Sequence, residues 1–326
     1  MLTLRGFLEI ILQILKVIDL SDNIKNEEPV VVTVGFFDGV HKGHRFLIDQ
    51  VKETAAKKGI ASAVVTFPIH PRKVLQKDYQ PALLSSFDEK LQLLETTSVD
   101  YVIVIPFSIE LSEFTAEQFI KYVLKDRINT QTLIVGHDHR FGHNRIDGFD
   151  EYKVYGAEVG MEVIKAKELR IDNGNVSSSK IRALLKDGDI VKANKLLSYN
   201  YTLSGKIVEG YQVGRTIGFP TANIRSWERF KVVPKLGVYA VLVHINELTY
   251  QGMLYIGKRP TLHNDSSVSV EVNIFNFEGN LYNKSLTVEF IDFIREDTWF
   301  DSMEKLVKRI HQDKIEVKKR LKEKQL

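Results

Sequence analysis

The feature that most limits the possible folds is a change of secondary-structure pattern near residue 198 of the 326-residue chain. Before that point, short apolar runs rich in β-branched residues alternate with helical stretches, whereas strand-like segments follow one another after it. The first pattern is typical of a parallel sheet covered on both faces, and the second of an antiparallel barrel or sandwich. Because the chain is also longer than one hydrophobic core usually supports, we predict two domains, residues 1–197 and 198–326.

The first domain is predicted to be an α/β doubly wound parallel sheet. Its predicted strands lie in the segments PVVVTVG, IASAVVTF, YVIVIPF, TLIVG and MEVIKA. Between them, one helix is expected to end at Gly59, and Thr115 and Gln118 have the spacing of a capping box. Two short helices separated at Gly188 are predicted over Ser177–Leu197. Ligands of such sheets bind beyond the carboxyl ends of the strands.

The second domain is predicted to contain short antiparallel strands and a final helix, roughly from Trp299 to Lys322. The strand-like segments are YTLSGKIVEG, VYAVLVHI, LTYQGMLYIG, VSVEVNIFNF and SLTVEFIDFIR. Leu306, Ile310 and Val317 form an apolar stripe in the lysine-rich end of the chain. This stripe favours a solvated amphipathic helix over a segment that binds RNA or a membrane.

The opening segment, residues 1–20, predicts a short amphipathic helix docked on the first domain, with association at a membrane surface as the alternative. Glu9, Gln13 and Lys16 interrupt its apolar run and make it a poor membrane span. The sequence contains no cysteine, which excludes disulfides and thiolate catalysis and fits a cytoplasmic protein. The net charge of +3, from 45 basic and 42 acidic residues, gives no indication of a nucleic-acid partner.

A glycine-rich segment with two histidines, GFFDGVHKGH at residues 35–44, follows the first predicted strand. Its three glycines allow the backbone to approach a ligand closely, and the helix start that follows is suited to phosphates. His41 and His44 could face one triphosphate and stabilise the charge that develops on a phosphate under attack. No P-loop lysine pattern occurs in the sequence, so this would be a different phosphate-binding arrangement. Solvated loop histidines are the alternative interpretation.

This segment resembles the signature of the HxGH nucleotidyltransferases, and specifically the adenylyltransferase module of bacterial bifunctional riboflavin kinase/FAD synthetases. Three further segments agree in the family's order, namely TFPIHPRKV, VGHDHRFG and VSSSKIRALLKDGDIVKANKLL. The resemblance implies that the phosphate of FMN attacks ATP, so that no protein nucleophile is required. Positioning and charge neutralisation would then supply most of the catalysis.

The same resemblance implies an ATP site and a flavin site in the first module. His41, His44 and Arg182 would be catalytic, and Arg182 would neutralise the phosphates that leave as pyrophosphate. The residues implied in ATP binding are Gly35, Phe37, Asp38, Gly39, His41, His44, Ser178, Ser179 and Arg182. Those implied in flavin binding are Phe67, His70, Pro71, Asp138 and Phe141. A solvated loop, rather than a metal cluster, is expected at the three histidines of residues 137–143.

The second domain opens with another glycine-rich segment, GKIVEGYQVGRTIGFPTANI at residues 205–224. Its glycines would let a flap close over phosphates, and a plain glycine-rich hairpin is the alternative. Thr221 and Asn223, two apart in an extended stretch, would point the same way and offer oxygen ligands suited to Mg²⁺. Glu271 lies on the polar side of VSVEVNIFNF, where periodicity alone predicts a solvated side chain.

This glycine-rich segment resembles the riboflavin kinase module, as do GVYAV, YIGKRPT and VEVNIFNFEGNLY, in the family's order. The resemblance implies a six-stranded antiparallel β-barrel with a carboxy-terminal helix. It also implies that Glu271 is the general base for the riboflavin 5′-hydroxyl as that oxygen attacks the γ-phosphate of ATP. The residues implied in ATP binding are Gly210, Gly214, Gly218, Pro220 and Thr221. Those implied in flavin binding are Arg259, Arg295 and Trp299.

Together the two resemblances imply a bifunctional enzyme of flavin cofactor biosynthesis. It would use Mg²⁺ and ATP to convert riboflavin to FMN and then FMN to FAD, as a monomer or weak homo-oligomer without nucleic-acid or membrane partners. Departures from the family pattern at Phe36, Pro68-Ile69 and His139 support a riboflavin kinase with a degenerate first module. In the kinase module, Tyr255 replaces the usual asparagine. A catalytically inactive flavin-binding regulator and an HxGH transferase for a nucleotide or pantetheine phosphate are further alternatives.

Overall fold

Two compact units make up the chain, and they divide between Ser177 and Ser178. The computed structural model describes residues 16–20, 25–137, 139–143, 146–169, 171, 175–209, 214, 217–258, 268–282 and 284–324. The boundary drawn from the sequence lies later, at residue 197. The two short helices before residue 197 group with the second unit because they contact it directly. Lys235 N–H, for example, donates to the Leu185 carbonyl at 3.0 Å.

The first unit is built on a six-stranded sheet in which every pairing is parallel. Its strands are β1 (Lys16–Asp19), β2 (Val30–Val34), β3 (Ala61–Thr66), β4 (Tyr101–Val104), β5 (Thr130–Val135) and β6 (Glu162–Lys165). Their spatial order is β1-β4-β3-β2-β5-β6. The chain winds from β2 towards β4 and then from β5 towards β6, so the winding direction reverses between β2 and β5. The predicted doubly wound fold is confirmed, and its topological switch point lies between these two strands.

Helices connect the strands of the first unit. They are α1 (Lys42–Lys58), α2 (Pro71–Leu75), α3 (Phe87–Glu95), α4 (Ile109–Glu113), α5 (Ala116–Gln118) and α6 (Phe149–Glu158). Helix α5 continues as a π-helical stretch, Phe119–Lys125. Gly59 ends α1 in the left-handed region, with φ of 66°, as predicted. The predicted capping box at Thr115 and Gln118 is present with both reciprocal hydrogen bonds.

Strand β2 is buried along its whole length because helices cover both faces of the sheet. Val30, Val32 and Val34 pack with residues of the π-helical stretch and α6, whereas Val31 packs with residues of α1. A strand covered on both faces has no polar side, which explains the continuous run VVVTV.

Strand β1 corrects the prediction for the opening segment. Lys16–Asp19 were expected in an amphipathic helix, but they form an edge strand parallel to β4. The run KVID contains two β-branched residues, and β4 offers it an unpaired sheet edge, a partner that local periodicity cannot reveal. Residues 1–15, on which the helix prediction also rests, lie outside the described part of the chain.

The second unit is a closed antiparallel barrel of six strands with helices around it, so the predicted barrel is confirmed. Its strands are β7 (Thr202–Val208), β8 (Ala222–Ser226), β9 (Gly237–Ile245), β10 (Leu248–Lys258), β11 (Val268–Ile274) and β12 (Ser285–Glu296). Around the barrel the order is β10-β11-β8-β7-β12-β9. Its helices are α7 (Ser178–Asp187), α8 (Ile190–Leu197) and α9 (Met303–Lys324).

The amphipathic terminal helix is confirmed, although it begins at Met303 rather than Trp299. Val317 and Leu321 of α9 are buried in one cluster with Val238 and Ile291 of the barrel. Among the helices of the described ranges, none is both long enough and apolar enough to cross a membrane.

Candidate active sites

Three of the motifs leave the first-unit sheet at neighbouring strand ends. The histidine segment, residues 35–44, follows β2, while residues 67–74 follow β3 and residues 136–142 follow β5. Because β2 lies between β3 and β5, the carboxyl ends of these strands bring all three segments to the switch point.

The turn after β2 has an unusual backbone that a buried carboxylate supports. Phe37 and Val40 have φ of 55° and 34°, values that residues other than glycine rarely adopt. The buried Asp38 carboxylate accepts hydrogen bonds from the backbone N–H groups of Leu84 and Ser85, at 2.9 and 3.2 Å. Asp38, predicted as an ATP ligand, therefore holds the turn in place. Backbone strain of this kind is found at functional sites.

His41 caps the helix that follows the turn. Its Nδ1 accepts a 3.3 Å hydrogen bond from the backbone N–H of His44, at the first turn of α1. In a neutral ring this bond places the remaining hydrogen on Nε2. Gly43 leaves room for the arrangement, because a Cβ at that position would lie 3.2 Å from His41 Cε1.

The ring of His44 stacks on the ring of His41. The two ring centroids are 3.7 Å apart with an interplanar angle of 13°, and the Phe37 ring meets His44 edge-on at 5.1 Å. Burial lowers the pKa of His44 well below its ordinary value, and electrostatic interactions with His41, Lys90 and His139 lower it further. Within the described residues, Nδ1 of His44 is buried without a hydrogen-bond partner.

Lys90 of α3 is a site residue that was not predicted from the sequence. Its side chain is 2% exposed, and Nζ donates hydrogen bonds to the carbonyls of Phe36, at 3.0 Å, and Phe67, at 2.7 Å. Burial lowers the pKa of Lys90 to about 7, an effect that the nearby Asp38 opposes. Helical spacing could have found it, because Lys90 shares one face of α3 with Phe87 and Leu94.

The predicted flavin residues after β3 contact one another through aromatic rings. Phe67 is buried, with its ring edge-on to Phe107 at 5.5 Å. His70 caps α2 by accepting a 3.2 Å hydrogen bond from the N–H of Arg72, and Pro71 is the first residue of that helix. The rings of His70 and Phe36 are 4.8 Å apart. The bulky side chain at position 36 therefore fills space beside the predicted flavin pocket.

The remaining predicted residues of the first module fall in three places. Phe141 stacks on Tyr152 with ring centroids 4.2 Å apart, and its N–H donates to the Tyr152 hydroxyl at 2.9 Å, so its ring is part of the unit's packing. The predicted ATP ligands on α7 lie in its first two turns, in the second unit; they are Ser178, Ser179 and Arg182. Asp138 lies outside the described residues. In the described ranges, no cluster of histidine and acidic side chains could hold a metal ion.

In the second unit, the predicted base and magnesium ligands lie together on neighbouring strands. The Thr221 hydroxyl donates a 3.1 Å hydrogen bond to Oε2 of Glu271. Glu271 of β11 is directly opposite Asn223 of β8 on one side and Tyr255 of β10 on the other. Directly opposed residues point to the same face, so Tyr255, Glu271 and Asn223 form one row across three strands.

The polar side of β11 is covered rather than solvated. Ser269 and Asn273, which flank Glu271 on that side, are only 5% and 6% exposed, and Asn273 Nδ2 donates to the Pro220 carbonyl at 2.7 Å. Glu271 itself is half-buried, so period-two alternation alone underestimates how far the segment before β8 covers this face. A cavity of about 620 Å³ opens beside Thr221 and Pro220.

Two of the predicted flavin residues in the barrel unit lie in contrasting environments. The Arg295 guanidinium binds the buried Asp313 carboxylate through two nitrogens, at 3.0 and 2.8 Å. This ion pair joins β12 to α9. Trp299 is 84% exposed.

Two glycines of the segment before β8 are required for different reasons. Gly214 has no room for a side chain, since a Cβ would lie 2.3 Å from the Phe219 carbonyl oxygen. Gly218 has φ of 81°, in the left-handed region. Gly210 and Arg259, both predicted site residues, lie outside the described part of the chain.

Comparison with known proteins assigns a class to each half of the chain. A family model described as FAD synthetase matches residues 23–180, and one described as riboflavin kinase matches residues 197–321. The chain thus combines a flavin nucleotidyltransferase module with a flavin kinase module. It belongs to the bifunctional riboflavin kinase/FMN adenylyltransferase family.

Individual relatives extend over nearly the whole chain. The bifunctional riboflavin kinase/FMN adenylyltransferase of Listeria monocytogenes is 34% identical over 87% of this chain and 90% of its own. That of Escherichia coli is 33% identical over 89% of this chain and 92% of its own. A crystal structure described as a macrolide-efflux protein from Streptococcus pneumoniae is 31% identical, with a TM-score of 0.84 over 93% of this chain and 98% of that one. Macrolide efflux, the activity in that description, differs from the two enzyme activities named for the Listeria and Escherichia proteins.

Proposed function

We propose that the second unit transfers the γ-phosphate of ATP to riboflavin, giving FMN and ADP, and that the first unit transfers AMP from a second ATP to FMN, giving FAD and diphosphate. The observation that carries this proposal is the contact between Thr221 and Glu271 on the barrel. It supports the kinase reaction, because it places a carboxylate that could act as a general base beside the oxygen atoms that we propose as metal ligands.

In the kinase reaction, the Glu271 carboxylate accepts the proton of the riboflavin 5′-hydroxyl. The freed oxygen forms a bond to the γ-phosphorus as the bond from that phosphorus to the β-phosphate oxygen breaks, and ADP leaves. Thr221 orients Glu271 through its hydroxyl hydrogen. We further propose ATP contacts along Gly210, Gly214, Gly218 and Pro220, and flavin contacts at Arg259, Arg295 and Trp299.

The residues before and within β8 fit a magnesium ion. The Thr221 hydroxyl hydrogen points to Glu271, which leaves the oxygen lone pairs for a cation. The amide oxygen of Asn223, opposite Glu271, is a second hard ligand. Thr221 and Asn223 would hold the ion, which would neutralise charge on the ATP phosphates.

In the adenylylation reaction, a phosphate oxygen of FMN forms a bond to the α-phosphorus of ATP as its bond to the β-phosphate breaks and diphosphate leaves. The Nε2–H of His41, whose tautomer the helix cap sets, would donate to the developing charge, as would the His44 ring. The proposed ATP ligands from the sequence motifs are Gly35, Phe37, Asp38, Gly39, Ser178, Ser179 and Arg182. The proposed FMN ligands are Phe67, His70, Pro71, Asp138 and Phe141.

The resemblance of residues 176–197 to the adenylyltransferase motif supports a functional boundary at residue 197, although α7 and α8 pack with the barrel. The match of the riboflavin kinase model from residue 197 onward supports the same boundary. We also propose that the protein acts in the cytoplasm on these small molecules, as a monomer or weak homo-oligomer without nucleic-acid or membrane partners.

Incubation of the purified full-length protein with riboflavin and Mg-ATP tests the proposal, with chromatographic separation of riboflavin, FMN and FAD over time. FMN should appear first and FAD afterwards, and added FMN should give FAD directly. FMN without FAD from either substrate would restrict catalysis to the barrel. Flavin binding without any product would overturn both activities and favour a regulator.

A further inference from the structure

The buried side chain of Lys90 connects the ends of two neighbouring strands of the first-unit sheet through hydrogen bonds. One of its hydrogen bonds goes to the Phe36 carbonyl, just past the end of β2, and the other goes to the Phe67 carbonyl, the first residue past β3. The first carbonyl belongs to the turn that carries His41 and His44, and the second to the segment that continues to His70. A single ammonium group thus sets the spacing between these two segments.

The surroundings of Lys90 also link its charge to His44. Its ammonium lies 4.0 Å from the centroid of the Phe36 ring and 5.4 Å from that of Phe87, contacts that favour a cation. Asp38 is the acidic group that interacts with it. The groups that lower the pKa of His44 electrostatically are the imidazoles of His41 and His139 and the ammonium of Lys90.

We propose that Lys90 is a positioning residue for the first-unit reaction, which fixes the histidine turn against the Phe67 segment through its two carbonyl hydrogen bonds. The charge of its ammonium group also lowers the pKa of His44, after burial and His41. This inference rests on the proposed adenylylation. Burying an ammonium group costs free energy that an apolar side chain of similar length would avoid, so packing alone does not explain a lysine here. The two carbonyl bonds and the repulsion of a proton from His44 do explain it.

The test compares Lys90→Met with Lys52→Met in the full-length protein. Lys52 is a matched control, because its Nζ also donates to a main-chain carbonyl of the first unit, that of Thr97 at 2.6 Å, away from the switch point. FMN adenylylation, riboflavin phosphorylation and the NMR titration of the His44 Cε1 proton would be measured for each variant. Lys90→Met should slow adenylylation roughly 10–100-fold and raise the pKa of His44, while phosphorylation changes less than about twofold.

Lys52→Met should leave all three measurements near their wild-type values. An unchanged adenylylation rate or an unchanged His44 titration in Lys90→Met would overturn the proposal, as would an equal loss of adenylylation in Lys52→Met. If Lys90→Met does not fold, Lys90→Gln retains an uncharged N–H donor group, and it should raise the pKa of His44 with a smaller loss of rate. An unchanged pKa in that variant would also overturn the proposal.

Absence of FAD formation by the wild type would instead refute the proposed adenylylation, and the His44 titration would still test the charge effect.

Discussion

The hydroxyl of Thr221 donates a hydrogen bond to the carboxylate of Glu271 over 3.1 Å, joining the residue before β8 to the middle of β11. This bond orients the carboxylate beside the segment that precedes β8. Because Glu271 is also directly opposite Asn223, the proposed base and both proposed magnesium ligands share one face of the barrel.

Glu271→Gln should abolish most riboflavin phosphorylation while leaving FMN adenylylation intact. Glutamine preserves the shape of the side chain but cannot take a proton, and loss of a general base typically costs about 10²–10⁴-fold in rate. Each reaction would be assayed separately, with riboflavin or FMN as the substrate. Glu289→Gln is the control and should retain the kinase rate. It alters a carboxylate of β12 that is hydrogen-bonded to His244 of β9. Near-normal phosphorylation by Glu271→Gln would remove Glu271 from the mechanism.

His44→Ala should cut FAD formation by roughly 100-fold or more, because the ring would no longer stabilise charge on the α-phosphate. Riboflavin phosphorylation in the same preparation should remain unchanged, since the residues of the proposed kinase site lie in the other unit. His143→Ala is a suitable control, because that residue is exposed and its Nδ1 lies 3.1 Å from the Ser112 carbonyl of α4. An adenylylation rate equal to wild type would mean that His44 is structural.

The stability of the first unit should depend on pH through Lys90. Its pKa is about 7 in the folded protein, against an ordinary value of 10.5, so the unfolded chain binds more protons between these values. Stability therefore rises with pH across this window, and the contribution is lost as the pH falls through about 7. The Tm of the wild type relative to Lys90→Met should increase between about pH 6.5 and about pH 9.5. A difference in Tm that stays flat with pH would contradict the lowered pKa.

Asp313→Asn should destabilise the barrel unit by about 3–5 kcal/mol, the usual cost of breaking a buried ion pair. Asp313 is 1% exposed, and its carboxylate binds both Arg295 and Arg309, so the change leaves the Arg295 guanidinium, whose side chain is 15% exposed, without its counter-charge. Urea denaturation would measure the loss. Asp301→Asn, which removes an exposed pair with Lys305, should cost less than about 1 kcal/mol. Equal effects of the two substitutions would show that burial of the Asp313 pair is unimportant.

The sequence by itself determined the order of the elements and the location of the motifs. Both depend on residues close together in the chain, such as the uninterrupted VVVTV of β2 and the capping box at Thr115 and Gln118. The change from alternating helices and strands to strands alone was likewise enough to predict a parallel sheet followed by an antiparallel barrel or sandwich, and the family resemblance favoured the barrel. The histidine, threonine–asparagine and glutamate motifs were found for the same reason.

Only the tertiary structure decided which side chains these elements bring together. Lys90 donates hydrogen bonds to carbonyls 54 and 23 residues earlier in the chain, and Arg295 donates to a carboxylate on α9. Strand β1 forms because β4 offers a sheet edge. Periodicity reports only whether a residue's own element has an apolar side, whereas these outcomes depend on which distant group faces that residue after folding. A charged residue on the apolar face of a helix can therefore be detected from the local sequence pattern. The groups that it contacts are known only from the tertiary structure.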